Sequence, residues 1–545
     1  VRGKAGTSRR AAGQLVVQPG PERRRTSSHY TPRSLTAPIV QKTLEPLFRA
    51  MGEAPPSERI LNLKVCDPAM GSGAFLVEAC RYLADAVVSA WVREGRHDLL
   101  SGTEDVTLVA RRLVAQRCLY GVDKNGYAVG LAKLSMWLVT LAKDLPFTFV
   151  DHALRCGDSL VGLSFEQITA GHWKPAAQVE LCEAELKATL GEAIAARERI
   201  LELAGDVSAA AQKEKEWLLR DAEDALERVR MIGDVVVGAF FAEQKDKARE
   251  AERRRRMDVV MEWLRRGGEA EMAGEELRGW REEARRRIKP FHWMAEFPEV
   301  FWVRRRDPLD GDREGGDAWI DAFVGNPPFA GKNGIAEFGG PSMLDWLKTL
   351  HEGAHGNADY SAHFFRRADT LLGAHGTIGF IATSTISQGD TRATGLQALV
   401  RGGLTIYSAA TRIPWDGGPN VAVAVAHLSK GPNLWCERRE LDGATVPHIS
   451  SQLRADAERD DPFPLATNAD FCSRVQSFSA WASRLQKMSA RGSWQRTHGT
   501  LSAYSRIRVA RRSIPAPPTN TTDTPLTLAA CRLKKPAHGP TCSNM

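Results

Sequence analysis

The sequence predicts an α/β protein: a Rossmann-like, mostly parallel sheet interrupted by a long helical insertion. Three observations carry that expectation. An apolar run near residue 65 ends in a glycine-bearing turn and then a helical pattern. Two further apolar runs end in acids, at Asp123 and Asp158, and a fourth, residues 319–325, runs into Asn326-Pro327-Pro328-Phe329. Repeated strand–turn–helix units of this kind gather their loops at the carboxyl edge of one sheet.

Residues 60–65 alternate apolar and polar, as in a strand, and lead into Cys66-Asp67-Pro68-Ala69-Met70-Gly71-Ser72-Gly73-Ala74-Phe75. A helix is expected from about Ala74, with Phe75, Leu76, Ala79, Leu83 and Val87 on one side. Gly71 and Gly73 let the backbone approach a ligand, and the following helix N-terminus favours a carboxylate. Taken alone, a Gly-x-Gly is equally a tight strand-to-helix turn. Asp123 closes Leu119-Tyr120-Gly121-Val122 ahead of an apolar helix around residues 128–138. An acid there commonly holds ribose hydroxyls. The 50 residues from Gly73 to Asp123 exceed the usual spacing of about 20 in a dinucleotide fold. An elongated helix and a polar loop over residues 93–104 account for the difference. Cys156-Gly157-Asp158-Ser159-Leu160 offers a third carboxylate after an apolar stretch.

Between Asp158 and Asn326 lies more chain than one α/β crossover needs. Leu186, Leu190, Ile194 and Leu201 recur at helical spacing over residues 178–203. Gly205-Asp206-Val207-Ser208 breaks that helix, and Ser208 is a candidate cap for a second one through Trp217, Leu218 and Leu226. Residues 243–256 are almost wholly charged. The pattern is a charged helical hairpin, partly coiled-coil. Arg253-Arg254-Arg255-Arg256 can touch phosphates, but a solvated helix face is the simpler expectation. Residues 377–383 and 421–428 supply two more strands; Trp415, just before the second, is either a base clamp or a buried structural residue.

Asn326-Pro327-Pro328-Phe329 suits an amine attached to a conjugated ring. Such an amine is a poor nucleophile because its lone pair is delocalised. The Asn326 side-chain oxygen and the Pro327 carbonyl can both accept its protons, drawing nitrogen toward an attacking geometry. The two prolines fix the acceptors, and Phe329 offers a flat face to a base drawn from its stack. The plain alternative is a rigid Pro-Pro turn.

In order, these segments resemble the gamma-class N6-adenine-specific DNA methyltransferases of restriction–modification and phage-defence systems, especially the large single-chain type. The resemblance covers residues 25–455. It implies the class I S-adenosylmethionine-dependent methyltransferase sheet and S-adenosylmethionine as cofactor. Residues 25–47, with His29-Tyr30-Thr31-Pro32, resemble the motif that contacts the methionine part of the cofactor. Asp67, Ala69, Gly71, Gly73 and Phe75 fall in the glycine-loop motif; Asp123 matches the ribose-binding acid and Asp158 the acceptor of the cofactor's adenine amine. Asn326, Pro327, Pro328 and Phe329 match the catalytic motif, and no metal is implied. The likeness continues through Phe291-His292-Trp293 with Phe297-Pro298-Glu299-Val300-Phe301, Asp359-Tyr360 with Phe364-Phe365, and residues 376–383. The implied reaction is methyl transfer to adenine N6 in duplex DNA by base flipping, with a nuclease or other defence subunit as a further partner. A cytosine C5 enzyme would need a Cys nucleophile, usually in Pro-Cys, and that dipeptide does not occur. Cytosine N4 enzymes usually place Ser where Asn326 stands. Enzymes acting on release-factor glutamine or ribosomal guanine amines have similar Asn-Pro-Pro-aromatic loops but lack the insertion. A truncated chain that binds cofactor without specific transfer is the remaining alternative.

The domain layout follows: a basic, disordered stretch over 1–24, a cofactor-binding half over 25–165, and the insertion over 166–290. A catalytic half over 291–455 precedes a remnant recognition region and disordered tail over 456–545. The net charge of +8 is an end effect. Residues 1–33 carry 8 Lys/Arg against 1 acid and residues 472–545 carry 12 against 1, which leaves about −10 for residues 34–471. Any DNA groove is therefore a local patch, not a property of the pI. Nine cysteines without a Cys-x-x-Cys pair point to reduced thiols, a cytoplasmic location and no zinc site. No apolar run reaches the roughly 18 residues needed to span a bilayer. The last 74 residues lose acids and apolar periodicity. Residues 496–506, back-translated and read two nucleotides on, resemble a segment of the same relatives, so a frame slip near Cys472 is expected; a natural basic arm is the alternative.

Overall fold

The computed structural model describes residues 31–96, 104–141, 150–174, 183–266, 271–301, 308–309, 319–414, 422–431 and 439–460. Tyr30, Trp415 and the tail beyond 460 lie outside these residues. The described residues up to 459 belong to one compact unit.

Nine strands form one sheet: β1 (Val65–Asp67), β2 (Leu119–Asp123), β3 (Leu154–Cys156), β4 (Ile320–Gly325), β5 (Leu372–Thr383), β6 (Thr405–Pro414), β7 (Ala422–Ser429), β8 (Arg439–Leu441) and β9 (Ala444–Val446). Their order is β3-β2-β1-β4-β5-β7-β6-β8-β9. The first five are parallel, and β7 runs antiparallel between β5 and β6. β1 sits at the centre of the five parallel strands, with Val65 opposite Leu119 on one side and Ala322 on the other. Chain order reverses there: β2 and β3 lie to one side, β4 and β5 to the other. Loops leaving β1 and β4 diverge at such a switch point and leave a crevice at the carboxyl ends of the strands.

The alternation over residues 60–65 was misleading. Ser57–Leu61 is a short helix entered from Pro56, and β1 starts only at Val65. Every residue of β1 is buried, so the strand carries no alternation of its own. Two helices flank this part of the sheet. α1 (Arg33–Met51) buries Ile39, Val40, Leu44 and Leu47. It is tied to the far strands: Thr377 Oγ1 donates to the Thr43 carbonyl at 2.8 Å, and Tyr407 Oη to the Lys42 carbonyl at 3.0 Å. α2 (Ala74–Glu94) buries Phe75, Leu76, Ala79, Leu83 and Val87, the face the periodicity predicts.

The long gap before Asp123 is filled by α2 and a further helix, α3 (Val106–Arg117), capped by the Asp105 carboxylate. After β2, α4 (Gly126–Thr140) is apolar on both sides. Ala128, Val129, Ala132, Met136 and Val139 face the core, while Tyr127, Leu131, Leu134 and Leu138 are exposed.

Between β3 and β4 the chain forms not two but four long helices: α5 (Glu183–Glu202), α6 (Ala209–Ala242), α7 (Asp246–Arg265) and α8 (Glu271–Arg287). Ser208 does cap α6, accepting from Ala211 N–H at 3.2 Å. The arginine run is a salt-bridged helix face. Arg253 and Arg254 pair with Glu250, Arg255 and Arg256 with Glu252, and the last two also lie over the Trp280 ring. After β4 come α9 (Lys332–Gly339), α10 (Met343–Leu350) and α11 (Tyr360–Leu371). Among the described residues no helix is long and apolar enough to cross a membrane.

Candidate functional site

The crevice at the reversal of strand order is lined by the ends of β1, β2, β3 and β4. Asp67 ends β1, Asp123 ends β2, Asp158 follows β3 by two residues, and Asn326 follows β4. Residues separated by 259 positions in the chain are thus gathered on one edge of the sheet.

Asp67 is fully buried. Its Oδ1 accepts from Ala69 N–H at 3.0 Å, and its Oδ2 is buried with no partner. Burial pushes this carboxyl well above its ordinary range, the Ala69 N–H lowers it, and the neighbouring Asp123 charge raises it again. Gly325 has to be glycine here, because a Cβ would stand 2.7 Å from Asp67 Oδ1. The β1 turn and the Asn326 loop therefore meet without an intervening side chain.

Gly71 and Gly73 adopt left-handed backbone conformations, with φ of 54° and 82°. The turn they make is closed by Gly73 N–H to the Met70 carbonyl at 2.8 Å and anchored by Met70 N–H to the Val122 carbonyl at 3.0 Å. Gly71 N–H donates to Asp123 Oδ2 at 2.9 Å and Asn125 N–H to Oδ1 at 2.7 Å. Burial nonetheless raises Asp123, the largest single influence on it.

Thr31 and Pro32 stand at the start of α1, Pro32 as its N-cap. Thr31 is buried and its Oγ1 accepts from Asn326 Nδ2 at 3.3 Å. Asn326 Oδ1 is buried with no partner. Pro327 is buried, Phe329 half-buried. Two acceptor oxygens, Asp67 Oδ2 and Asn326 Oδ1, are thus desolvated and unpaired on adjacent strand ends, a costly arrangement unless a donor or cation meets them.

Asp158 is held by residues that its own motif does not announce. Lys124 Nζ donates to Asp158 Oδ2 at 2.8 Å and to the Phe338 carbonyl at 2.6 Å. Phe338 stacks on buried Tyr360, with ring centroids 5.0 Å apart and planes 9° from parallel. Lys124 follows Asp123 directly, and that adjacency was the available sequence signal; nothing local marks Phe338.

The sheet order defines the class: it is the Rossmann-like sheet of class I methyltransferases. The chain belongs to the Eco57I restriction-modification methylase family, whose model matches residues 117–399. The MmeI DNA-methyltransferase domain matches residues 55–171. The type II restriction enzyme and methyltransferase RM.Eco57I of Escherichia coli is 25% identical over 161 residues, 27% of this chain and 16% of that protein. The putative type II restriction enzyme and methyltransferase RM.MjaORFECS2P of Methanocaldococcus jannaschii is 25% identical over 177 residues, 25% of this chain and 14% of its own length. Among solved structures, the type IIL enzyme MmeI in complex with DNA aligns with a TM-score of 0.39 and 13% identity, covering 80% of this chain and 42% of that one. A nuclease-deletion mutant of the type ISP enzyme LlaGI with a DNA substrate mimic gives 0.35 and 12%, covering 74% and 26%. The matched parts are thus less than half the length of each of these proteins.

Proposed function

We propose that this chain transfers a methyl group from S-adenosylmethionine to N6 of adenine in duplex DNA, with the base turned out of the helix, within a cytoplasmic restriction–modification or phage-defence system. The observation that carries the reading is the unpaired Asn326 Oδ1 beside the unpaired Asp67 Oδ2 at the reversal of strand order. The residues fit the donor. Asp67 offers a desolvated anion to a cation, the Gly71–Gly73 turn brings backbone close, and Asp123 and Asp158 offer carboxylates for ribose hydroxyls and an adenine amine. Thr31 and Pro32 at the start of α1, and Ala69 and Phe75 on either side of the turn, complete the proposed donor site.

When bound, S-adenosylmethionine supplies a methyl group on a positively charged sulfur. Asn326 Oδ1 and the Pro327 carbonyl accept the two protons of the target amine and hold its lone pair out of the ring plane. Phe329 stacks on the extruded base and repays part of the few kcal/mol lost in unpairing it. The amine nitrogen held by Asn326 and Pro327 would take the methyl group from the bound donor and give up one proton to solvent. No covalent enzyme intermediate is needed. Positioning and a desolvated, preorganised site carry the rate.

Incubation with methyl-labelled donor tests this directly. Duplex DNA of mixed sequence, structured RNA and a release factor are offered separately, and modified nucleosides and peptides are read by mass spectrometry. Label in N6-methyladenine is expected. Label confined to RNA guanine or protein glutamine overturns the reading, as does donor binding with no transfer to any of the three.

Donor affinity should also depend on pH in a defined direction. The folded-state values of Asp67 and Asp123 are raised, so each is protonated over a window above the ordinary carboxylate value. A cationic donor prefers the ionised pair. Affinity is therefore expected to fall as pH drops through that window, with proton release on binding; calorimetry in two buffers of different ionisation enthalpy measures both.

A further inference from the structure

The segment Phe291-His292-Trp293 has no part in the chemistry above, yet all three residues are buried. It leaves α8 and runs alongside the loop that carries Asp158. Asp158 N–H donates to the Lys289 carbonyl at 2.8 Å, and Phe291 N–H to the Val161 carbonyl at 2.6 Å. Trp293 Nε1 donates to the Ser159 carbonyl at 3.0 Å, and Leu163 N–H to His292 Nδ1 at 3.0 Å. Lys289 Nζ reaches the carbonyl of Lys124, the residue that grips Asp158.

Three glycines are shaped to this segment. A Cβ on Gly162 would fall inside the Phe291 carbonyl; one on Gly157 would lie 2.6 Å from the Phe291 ring, and one on Gly233 2.6 Å from the His292 ring. The segment therefore cannot slide along the loop, and the loop cannot move without it.

His292 links this contact to the helical insertion. Because Nδ1 accepts from Leu163, the ring proton resides on Nε2, which faces Asp234 Oδ1 of α6 at 3.2 Å. Asp234 is fully buried, and Arg281 and Arg285 of α8 hold its Oδ2 at 3.1 and 2.7 Å. Burial raises this carboxyl, but His292 and Arg285 outweigh that and keep it below its ordinary range. The Asp234 carboxylate is thus fixed in charge and place, and it fixes the imidazole in turn.

We infer that the helical insertion positions the donor-binding loop, with His292 as the positioning residue: Asp234 orients its ring, and the ring holds the Leu163 amide and so the Asp158 turn. The consequence for donor binding rests on the reading of Asp158 as a donor ligand; the hold on the loop does not. By reciprocity, a partner whose binding alters the packing of α6 against α8 changes donor affinity by the same factor by which the donor changes that partner's affinity.

The test uses the full chain with His292→Leu, which removes the acceptor, and His292→Asn, whose Oδ1 can stand where Nδ1 accepts. Val260→Ala, in the core of α7, serves as a variant destabilised away from this contact. Amide exchange over residues 158–163 is measured first, then S-adenosylmethionine affinity by calorimetry. His292→Leu is expected to speed exchange and weaken the donor by about 3- to 10-fold, His292→Asn to recover most of both, and Val260→Ala to change neither at matched temperature below its Tm. If His292→Leu does not fold, Gly233→Ala displaces the same ring from the other side. Unchanged exchange in a folded variant overturns the inference. A wild-type protein that binds no donor overturns the reading of Asp158 alone, since exchange still decides whether the loop is held.

Discussion

Asn326→Ala is expected to lower methyl transfer by at least about 10²- to 10³-fold while leaving donor affinity within about twofold. The variant removes an acceptor that is buried, unpaired and placed for a developing positive charge on nitrogen. It also frees Thr31 Oγ1 from a 3.3 Å contact, a long bond whose loss costs little. Asn326→Asp is the sharper comparison, because it keeps the shape and adds a charge on the residue next to Gly325, which closely approaches Asp67. A second buried anion there raises both carboxyls, so at saturating donor its transfer rate should depend on pH more steeply than the wild type's. Single-turnover rates with saturating donor separate transfer from binding; wild-type rates in Asn326→Ala would refute the role given to this side chain.

Arg197→Ala is expected to destabilise the fold by about 3–5 kcal/mol. Arg197 and Glu299 pair in the interior, both side chains about 1% exposed, through two contacts of 3.0 Å. Arg197 also reaches the carbonyls of His152 and Glu296. Removing it strands a buried carboxylate and two carbonyls together. The neighbouring cluster reinforces the contrast: Arg155 and Arg230 share Glu223 and Glu296, and these partners outweigh burial to hold Glu296 far below the carboxylate range. These pairs join α5 and α6 to the strand that precedes Asp158. Arg197→Met with Glu299→Leu should recover much of the loss, because two apolar groups need no partners. Urea unfolding of the two variants measures it; equal stability of Arg197→Ala and wild type would show that the charge is solvated after all.

How much of this was legible in the sequence depends on how local each signal was. The glycine turn, the helix after it and the three strand-end carboxylates could be read because each needs particular residues within a short span. The α/β fold and the strands at β4, β5 and β7 followed from apolar runs of ordinary strand length. Strands β6, β8 and β9 were missed: β6 begins Thr-Ile-Tyr-Ser-Ala-Ala among small and polar residues, and β8 and β9 are three residues each with exposed sides. The insertion was read as one hairpin because residues 246–287 are so charged that their buried stripe, Met257, Val260 and Leu277 among it, is thin. At the site, the partners of Asp158 and the tie between Asn326 and Thr31 are contacts across hundreds of residues. No pattern within a window reports them.

The contact between Thr31 and Asn326 spans 295 positions, and that between Thr43 and Thr377 spans 334. On a ribosome adding about 5–20 residues per second, α1 therefore emerges roughly 15–60 s before the strands that cover it. For that interval Ile39, Val40, Leu44 and Leu47 lack the cover of β4 and β5. The order of synthesis makes the first of the described helices among the last to be finished, and its apolar side is a natural foothold for a chaperone until β4 and β5 arrive.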